Sequence, residues 1–280
     1  MQIKIKSPAK INLGLFILSK REDNYHEILT IFHKIPFYDE IEILESKKLE
    51  IEFIKDGKVF QIENNTILRG IIELSKLIGK SFNLKIRVFK KIPIGGGLGG
   101  GSSNCGVILK FLNGFYNLKL SKNDLIEISK KIGSDVPFFI LNESCAIGRG
   151  RGEILEPFNS NLKCYVHLFF PNKSLSTREM YEKIKIYDNK EDAERKILNI
   201  KKAIEENNLA LLKENFYNVF ENVLDEELLN YKKAIENLNF DLVFLSGSGS
   251  TFVALSKSFK LFSLWIAENS LLISEEQRSF

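Results

Sequence analysis

Strands and helices follow one another without a fixed rhythm along this 280-residue chain, which predicts an α+β protein of two lobes rather than a doubly wound parallel sheet. Both halves mix strand-like segments with apolar stripes of helical spacing, and no regular β-α-β alternation links them. Composition shifts near residue 155, after which segments rich in Lys, Glu, Leu and Ile dominate, so lobes are expected at 1–155 and 156–280.

The elements follow in order. QIKIK at 2–6 alternates polar and apolar residues, as a half-buried strand does, and 11–18 reads as a second strand. EIEIL at 40–44, KKLEIEF at 47–53 and KVFQI at 58–62 predict three more, the last two joined by an Asp56-Gly57 turn. A helix is expected over 66–79, where Ile67, Leu68, Ile71, Ile72, Leu74, Leu77 and Ile78 make one broad apolar face. LKIRVFKKI at 84–92 is a strand that runs directly into PIGGGLGGGSSN at 93–104. Cys105, Ile108, Leu109 and Leu112 then keep helical spacing, although Gly106 inside that helix costs up to about 1 kcal/mol. Ser121 and Asp124 form a capping box for the next helix, and Gly133 is placed to end it. GSDVPFFI at 133–140 carries an acid into an apolar stretch, and GRGRGE spans 148–153. CYVHLFFP at 164–171 reads as a strand, 176–236 as helices, and DLVFL and TFVAL as two strands around SGSGS at 246–250.

Charge and cysteine usage exclude several classes. Forty Lys+Arg against 36 Asp+Glu leave a formal charge of +4, with Lys and Glu interleaved in stretches such as KEDAERK. A nucleic-acid binder would carry a larger basic excess or a basic block. Three scattered cysteines without C-x-x-C, and three histidines, cannot assemble a zinc-type cluster and fit a reducing cytosol. No apolar run approaches the roughly 18 residues that span a bilayer. Lys4, Lys6 and Lys10 before INLGLFIL imitate a signal peptide, but Asn12 and Gly14 interrupt the run and no small-x-small cleavage site follows. A cytoplasmic protein without membrane or nucleic-acid partners is expected.

Six of the 18 glycines lie within residues 95–101. Such a run is costly in backbone entropy unless the chain needs left-handed φ or close backbone approach. It aims several amides and a helix N-terminus at one point, which suits a phosphate. A Walker A loop fails because no Lys precedes Ser102. Gly95, Gly97 and Gly100 formally meet a dinucleotide fingerprint, but the preceding strand is charged and Pro93 interrupts the connection. A flexible linker is opposed by the strand and helix that abut the loop. A glycine-serine loop of another kinase architecture remains.

SPAKINL at 7–13, PIGGGLGGGSSN at 93–104 and SGSGST at 246–251 together resemble, in this order, the galactokinase, homoserine kinase, mevalonate kinase and phosphomevalonate kinase (GHMP) superfamily. Pro8 to Leu13, Tyr25-His26, GGGLGGGSSN and Gly133 to Phe138 bring the resemblance closest to the branch acting on a cytidine-diphosphate-linked methylerythritol. The resemblance implies an N-terminal lobe like the second domain of ribosomal protein S5 and a ferredoxin-like C-terminal lobe. It also implies transfer of the ATP γ-phosphate, with Mg²⁺, to the 2-hydroxyl of that small molecule on the non-mevalonate route to isoprenoid precursors. A monomer or weak homodimer is expected.

Residue roles follow from the same resemblance. Lys10 and Asp135 are the candidate catalytic pair: Asp135 takes the hydroxyl proton, and Lys10 orients the acceptor and stabilises developing charge. Apolar company such as that of Asp135 disfavours a carboxylate's charged form. ATP would be held by Asn65, at the adenine, and by Pro93, Gly95, Gly96, Gly97, Leu98, Gly99, Gly100, Gly101, Ser102 and Ser103. Ser102 or Ser103 is the candidate Mg²⁺ contact. Asn12, Tyr25, His26, Arg151, Tyr181, Gly247 and Ser248 would bind the acceptor. Tyr25 offers a face for the base and Tyr181 a second one, His26 a hydrogen bond at the pyrimidine edge, and the backbone of 149–151 the remaining cytosine contacts. On residue type alone, Asp135 also reads as a helix cap, Lys10 as a strand-edge lysine, the two serines as N-caps and Tyr25-His26 as a loop-edge cluster. Homoserine or mevalonate kinase activity, a catalytically silent nucleotide-binding protein and an RNA-binding module are the competing functions. A small acyclic acceptor has no base to stack, and the near-balanced charge opposes RNA.

Overall fold

The computed structural model describes residues 2–259 and the strand 270–272; the rest of the expected second lobe, 260–269 and 273–280, lies outside the described residues. The chain forms two compact units that are interleaved in sequence. One comprises Met1–Ala9, Phe37–Ile94 and Gly99–Asn142, and the other Lys10–Pro36, Gly95–Leu98 and Glu143–Phe280. Two long strands, β1 (Gln2–Lys20) and β2 (His26–Glu45), pair with each other and contribute residues to both units.

In the first unit the end of β2 is followed by β3 (Glu50–Lys55), β4 (Lys58–Phe60), α1 (Thr66–Ile78), β5 (Leu84–Phe89), α2 (Gly100–Phe115), α3 (Lys122–Lys130) and α4 (Val136–Ile140). The strand order is β4-β3-β5-β2. β3 and β4 form the expected hairpin, with Phe53 opposite Phe60. Both turn residues are left-handed, Asp56 at φ 50° and Gly57 at 74°, as a two-residue hairpin turn demands. β5 runs parallel to β3 and antiparallel to β2, so Ile86 meets Ile51 on one side and Ile43 on the other. Ile41, Ile43, Ile86 and Val88 share a core with Ile71, Leu74, Leu109 and Leu112 of the helices. Each such side chain, fully enclosed, contributes about 1.5–3 kcal/mol.

Helix ends follow their sequence signals. Asn65 Oδ1 accepts from the amides of Ile67 and Leu68 to start α1, and Gly79, at φ 65°, ends it. The apolar face of α1 is narrower than expected: Ile67, Ile71 and Leu74 are buried, whereas Leu68, Ile72 and Leu77 are exposed. The Ser121–Asp124 capping box forms, but α3 stops at Lys130, before Gly133. Gly106 has a packing reason. A Cβ there would lie 2.7 Å from Phe139 Cβ, so the bare glycine lets α2 approach α4.

The second unit adds β6 (Cys145–Arg149), β7 (Ile154–Phe158), β8 (Tyr165–Phe169), α5 (Thr177–Lys183), α6 (Lys190–Glu205), α7 (Leu209–Asn215), a 3₁₀ turn at Val219–Val223, α8 (Glu226–Glu236), β9 (Leu242–Leu245), β10 (Phe252–Ser256) and β11 (Ser270–Leu272). Thr30 to His33 of β2 pair with β6, and β6 with β7. A separate antiparallel sheet has the order β11-β8-β10-β9, with Phe252 opposite both Phe169 and Leu245. Phe169, Leu245 and Phe252 form a core with Met180, Phe220, Leu228 and Ile235. The two strands expected around SGSGS are β9 and β10. The strands expected at 2–6 and 11–18 are one continuous β1, and the strand over 26–39 was not apparent from the residues.

Candidate active site

The glycine loop is locked by its carbonyls. Lys10 N–H donates to Leu98 O at 3.0 Å, Thr251 N–H to Gly96 O at 3.4 Å and Ser246 Oγ to Gly97 O at 3.2 Å. Gly95, Gly97 and Gly99 have φ of 73°, 74° and 67°. A Cβ on Gly97 would lie 2.1 Å from Ser246 O, so no other residue fits there. Among the described residues no acceptor is bonded to the amides of Gly95 to Gly99. Carbonyls tied back and amides left over make an anion nest. Gly99 starts α2 without a side-chain cap, leaving the positive end of this 16-residue helix uncapped.

The serines after the loop do not cap the helix, contrary to one expected reading, because α2 already begins at Gly100. Ser103 is fully buried, with its Oγ accepting from Ser7 Oγ at 2.7 Å; Ser102 is half-buried. Asn104 Oδ1 is buried without a partner among the described residues. Pro93 is half-buried at the loop entrance. Asn65 spends its Oδ1 on the α1 cap, and the neighbouring Thr66 Oγ1 donates to Gly101 O at 2.7 Å.

Lys10 and Asn12 sit on one face of β1, two residues apart, and both are buried. Lys10 Nζ donates to Asn12 Oδ1 at 2.7 Å and lies 5.6 Å from the Phe32 ring centre. Asn12 Nδ2 donates to Thr30 Oγ1 at 2.9 Å, and Thr30 Oγ1 to Gly14 O at 2.6 Å. The SGSGST turn closes over this chain: a Cβ on Gly247 would lie 3.2 Å from Asn12 Oδ1 and 3.5 Å from Lys10 Nζ. Ser248 Oγ shares a hydrogen bond with Thr177 Oγ1 at 3.0 Å. Two residues that sequence reasoning missed complete the cluster. Thr30 orients Asn12, and Asn218 Nδ2 donates to Leu245 O at 2.8 Å and Gly247 O at 2.9 Å, pinning the turn. A lone Thr in an apolar strand and a lone Asn in an Asn-rich chain carried no signal.

Asp135 belongs to the first unit and Lys10 to the second. Asp135 directly precedes α4 at φ −85°, ψ −15°, half-buried, and its carboxylate makes no capping bond to that helix. Asp135 thus holds the N-cap position without supplying the capping hydrogen bond. Val136, Pro137, Phe138 and Phe139 are buried and fix its place.

A third group lies in the second unit. Tyr25 is 54% exposed, with the Arg151 guanidinium 4.6 Å from its ring centre. His26 stacks on Tyr181 at 5.0 Å, with the planes 26° apart, and Tyr181 meets Phe220 edge-on at 4.9 Å. Burial, with some help from Lys20, holds the His26 imidazole below the usual histidine range, so near neutral pH it offers one donor and one acceptor. The amides at 150–152 are already engaged: Gly150 N–H donates to Glu27 Oε1, Arg151 N–H to Glu153 Oε2 and Gly152 N–H to Arg149 O. These backbone donors are therefore not spare for a ligand.

The chain is similar to known proteins. The pattern described as GHMP kinases N terminal domain matches residues 65–143, from the α1 cap through the glycine loop to the end of α4. A 4-diphosphocytidyl-2-C-methyl-D-erythritol kinase of Petrotoga mobilis is 40% identical over 256 residues, covering 88% of this chain and 96% of that protein. Its counterpart in Thermotoga maritima is 37% identical over 254 residues, covering 90% and 91%. A crystal structure of 4-(cytidine 5'-diphospho)-2C-methyl-D-erythritol kinase superposes with a TM-score of 0.74 at 28% identity, over 90% of each chain. With this identity sustained over nearly all of both sequences, the chain belongs to the 4-diphosphocytidyl-2-C-methyl-D-erythritol kinase family.

Proposed function

We propose that the protein transfers the γ-phosphate of ATP to the 2-hydroxyl of 4-diphosphocytidyl-2-C-methyl-D-erythritol, in the non-mevalonate supply of isoprenoid precursors. The observation that carries this reading is the gathering of three separated motifs: SPAKINL, the glycine loop and SGSGST meet where Lys10 N–H reaches Leu98 O and Gly247 abuts Lys10 and Asn12. The amides of Gly95 to Gly99 and the start of α2 cradle the ATP phosphates, with Pro93, Leu98, Gly100 and Gly101 shaping the loop and Asn65 at the adenine. Asn12, Gly247 and Ser248 hold the acceptor's diphosphate and hydroxyl end. Tyr25, His26, Tyr181 and the Arg151 side chain hold the cytosine. In functional terms, 1–155 carries the phosphate loop and 156–280 completes the acceptor site.

The chemistry then divides between two residues. The acceptor hydroxyl gives its proton to the Asp135 carboxylate as its oxygen bonds the γ-phosphorus, and the bond to the β-phosphate oxygen breaks to leave ADP. Lys10, held in place by Asn12, orients the acceptor oxygen and offsets charge on the transferring group. Mg²⁺ bound to the ATP phosphates would neutralise their charge, and it usually takes few protein ligands. Among the described residues there is no cluster of three His, Cys, Asp or Glu. Of the two serines, Ser102 is the proposed contact, because Ser103 is enclosed against Ser7. The protein is proposed to act in the cytoplasm as a monomer or weak homodimer, without nucleic acid or membrane. Among the described residues no helix is long and apolar enough to cross a bilayer.

The test is ATP turnover by the purified protein with the cytidine acceptor, homoserine and mevalonate offered separately. Turnover with the first alone is expected, and turnover with either of the others instead would overturn the assignment. Asp135→Ala should lower kcat by about 10²–10⁴-fold with little change in either KM.

A further inference from the structure

We infer that Asp39 and Lys90 are positioning residues for ATP, a buried ion pair that fixes the base of the phosphate loop. The inference rests on the reading of that loop as the ATP phosphate site. Asp39, on β2, is fully buried, and the side chain of Lys90, just after β5, is 4% exposed. Lys90 Nζ donates to Asp39 Oδ2. The other oxygen, Oδ1, accepts from the amides of Lys91 at 2.8 Å and Ile92 at 2.9 Å. One carboxylate therefore holds three consecutive residues at the point where the strand ends and Pro93 begins the loop.

The far end of the loop meets the same group. A Cβ on Gly100 would lie 2.8 Å from Ile92 Cγ2 and 3.1 Å from Lys90 Nζ. Residues 92 and 100 thus lie against each other, so the two ends of the excursion 93–99 are both held at the ion pair. A run so rich in glycine gets little stiffness from its own residues, so its shape depends on how its ends are held. An ammonium under the first turn of α2 is repelled by the positive end of the helix, and Asp39 cancels that charge. Buried ion pairs are commonly replaceable by apolar residues at no loss of stability, so stability alone does not account for this one. Its three bonds to the loop entrance do.

The double variant Asp39→Asn/Lys90→Met removes the pair without stranding a charge. It is to be compared with the unaltered protein in steady-state kinetics, ADP binding by calorimetry and thermal unfolding. A folded variant should show KM for ATP and Kd for ADP raised about fivefold or more, with KM for the acceptor and kcat changed by less than about threefold. A folded variant whose ATP and ADP constants move less than that, whatever its Tm, overturns the inference and leaves the pair a structural element. Asp39→Asn/Lys90→Gln, which keeps polar groups in both places, is read in the same way if the first variant does not fold. If neither folds, the pair is a folding element and the inference falls. Failure of the unaltered protein to bind ADP would overturn the ATP reading of the loop, and this inference with it.

Discussion

At residues 95–101 the chain presents backbone and almost no side chain, while around Tyr25, His26, Arg151 and Tyr181 it presents rings and a guanidinium. The two regions would recognise two ends of one acceptor-donor pair with opposite materials. Amides held by tied-back carbonyls have a fixed geometry and no titrating group, so the phosphate region admits no added atom at Gly97 and Gly100 but is indifferent to side-chain chemistry. The base region is half-exposed and made of side chains, each of which can be altered singly. A backbone site should thus fail all at once, and a side-chain site by degrees.

Gly97→Ala should produce the largest effect. Its Cβ would meet Ser246 O at 2.1 Å at a left-handed φ, so a loss of about 2–5 kcal/mol of stability and loss of ATP turnover are expected, read by denaturant unfolding and ADP binding. Normal ADP affinity in this variant would break the contrast. Tyr25→Ala should cost about 1–3 kcal/mol, seen as a rise of roughly 5- to 150-fold in the acceptor's KM, while KM for ATP stays constant. If both constants moved together, the two regions would not be separable.

A third effect is common to both regions and sets the conditions for measuring them. His33 is buried, and burial holds its imidazole down at about 4 from the ordinary 6.5. Its Nδ1 lies 2.6 Å from Lys34 O, which can only accept, so Nδ1 carries the proton and Nε2 accepts from Ser160 Oγ at 2.9 Å. Above pH 6.5 both the folded and the unfolded chain are neutral at this residue, and its contribution is complete. As pH falls from 6.5 towards 4 the unfolded chain takes the proton first, and stability should fall by up to about 1.4 kcal/mol per pH unit. Chemical denaturation across this interval should show the slope, and His33→Gln should flatten it. The smallest effect is expected for Gly79→Ala. That glycine has a φ of 65°, close to that of Gly97, but a Cβ there meets nothing within 4 Å. A loss of about 1 kcal/mol in unfolding, with unchanged kinetics, would show that contact rather than φ makes Gly97 indispensable.

The residues made some of this legible and hid the rest for physical reasons. The hairpin at Asp56-Gly57, the Asn65 and Gly79 ends of α1 and the capping box of α3 are local devices, and local devices can be read from sequence. β2 was missed over 26–39 because Thr30, His33 and Asp39 interrupt its apolar pattern. Each is buried with partners far away in sequence, such as Ser160 for His33 and Lys90 for Asp39. The serines after the glycine loop suggested caps because nothing local says that α2 starts at Gly100. Gly106 looked like a cost until α4 supplied Phe139 as its neighbour. In the candidate site, motif residues such as Lys10, Asn12 and Gly247 were visible and converge, whereas the side chains that steady them, Thr30 and Asn218, were not.

The interleaving of the two units has a consequence for synthesis. Every residue of the first unit precedes Glu143, whereas Lys10–Pro36 belongs with strands that start at Cys145. On the ribosome, the first unit can therefore be complete while Leu15, Ile17 and Ile28, all destined for burial, still lack core partners such as Phe169, Phe220 and Phe252. That early stretch, with open strand edges, is where a nascent chain of this kind is most exposed to aggregation or chaperone capture.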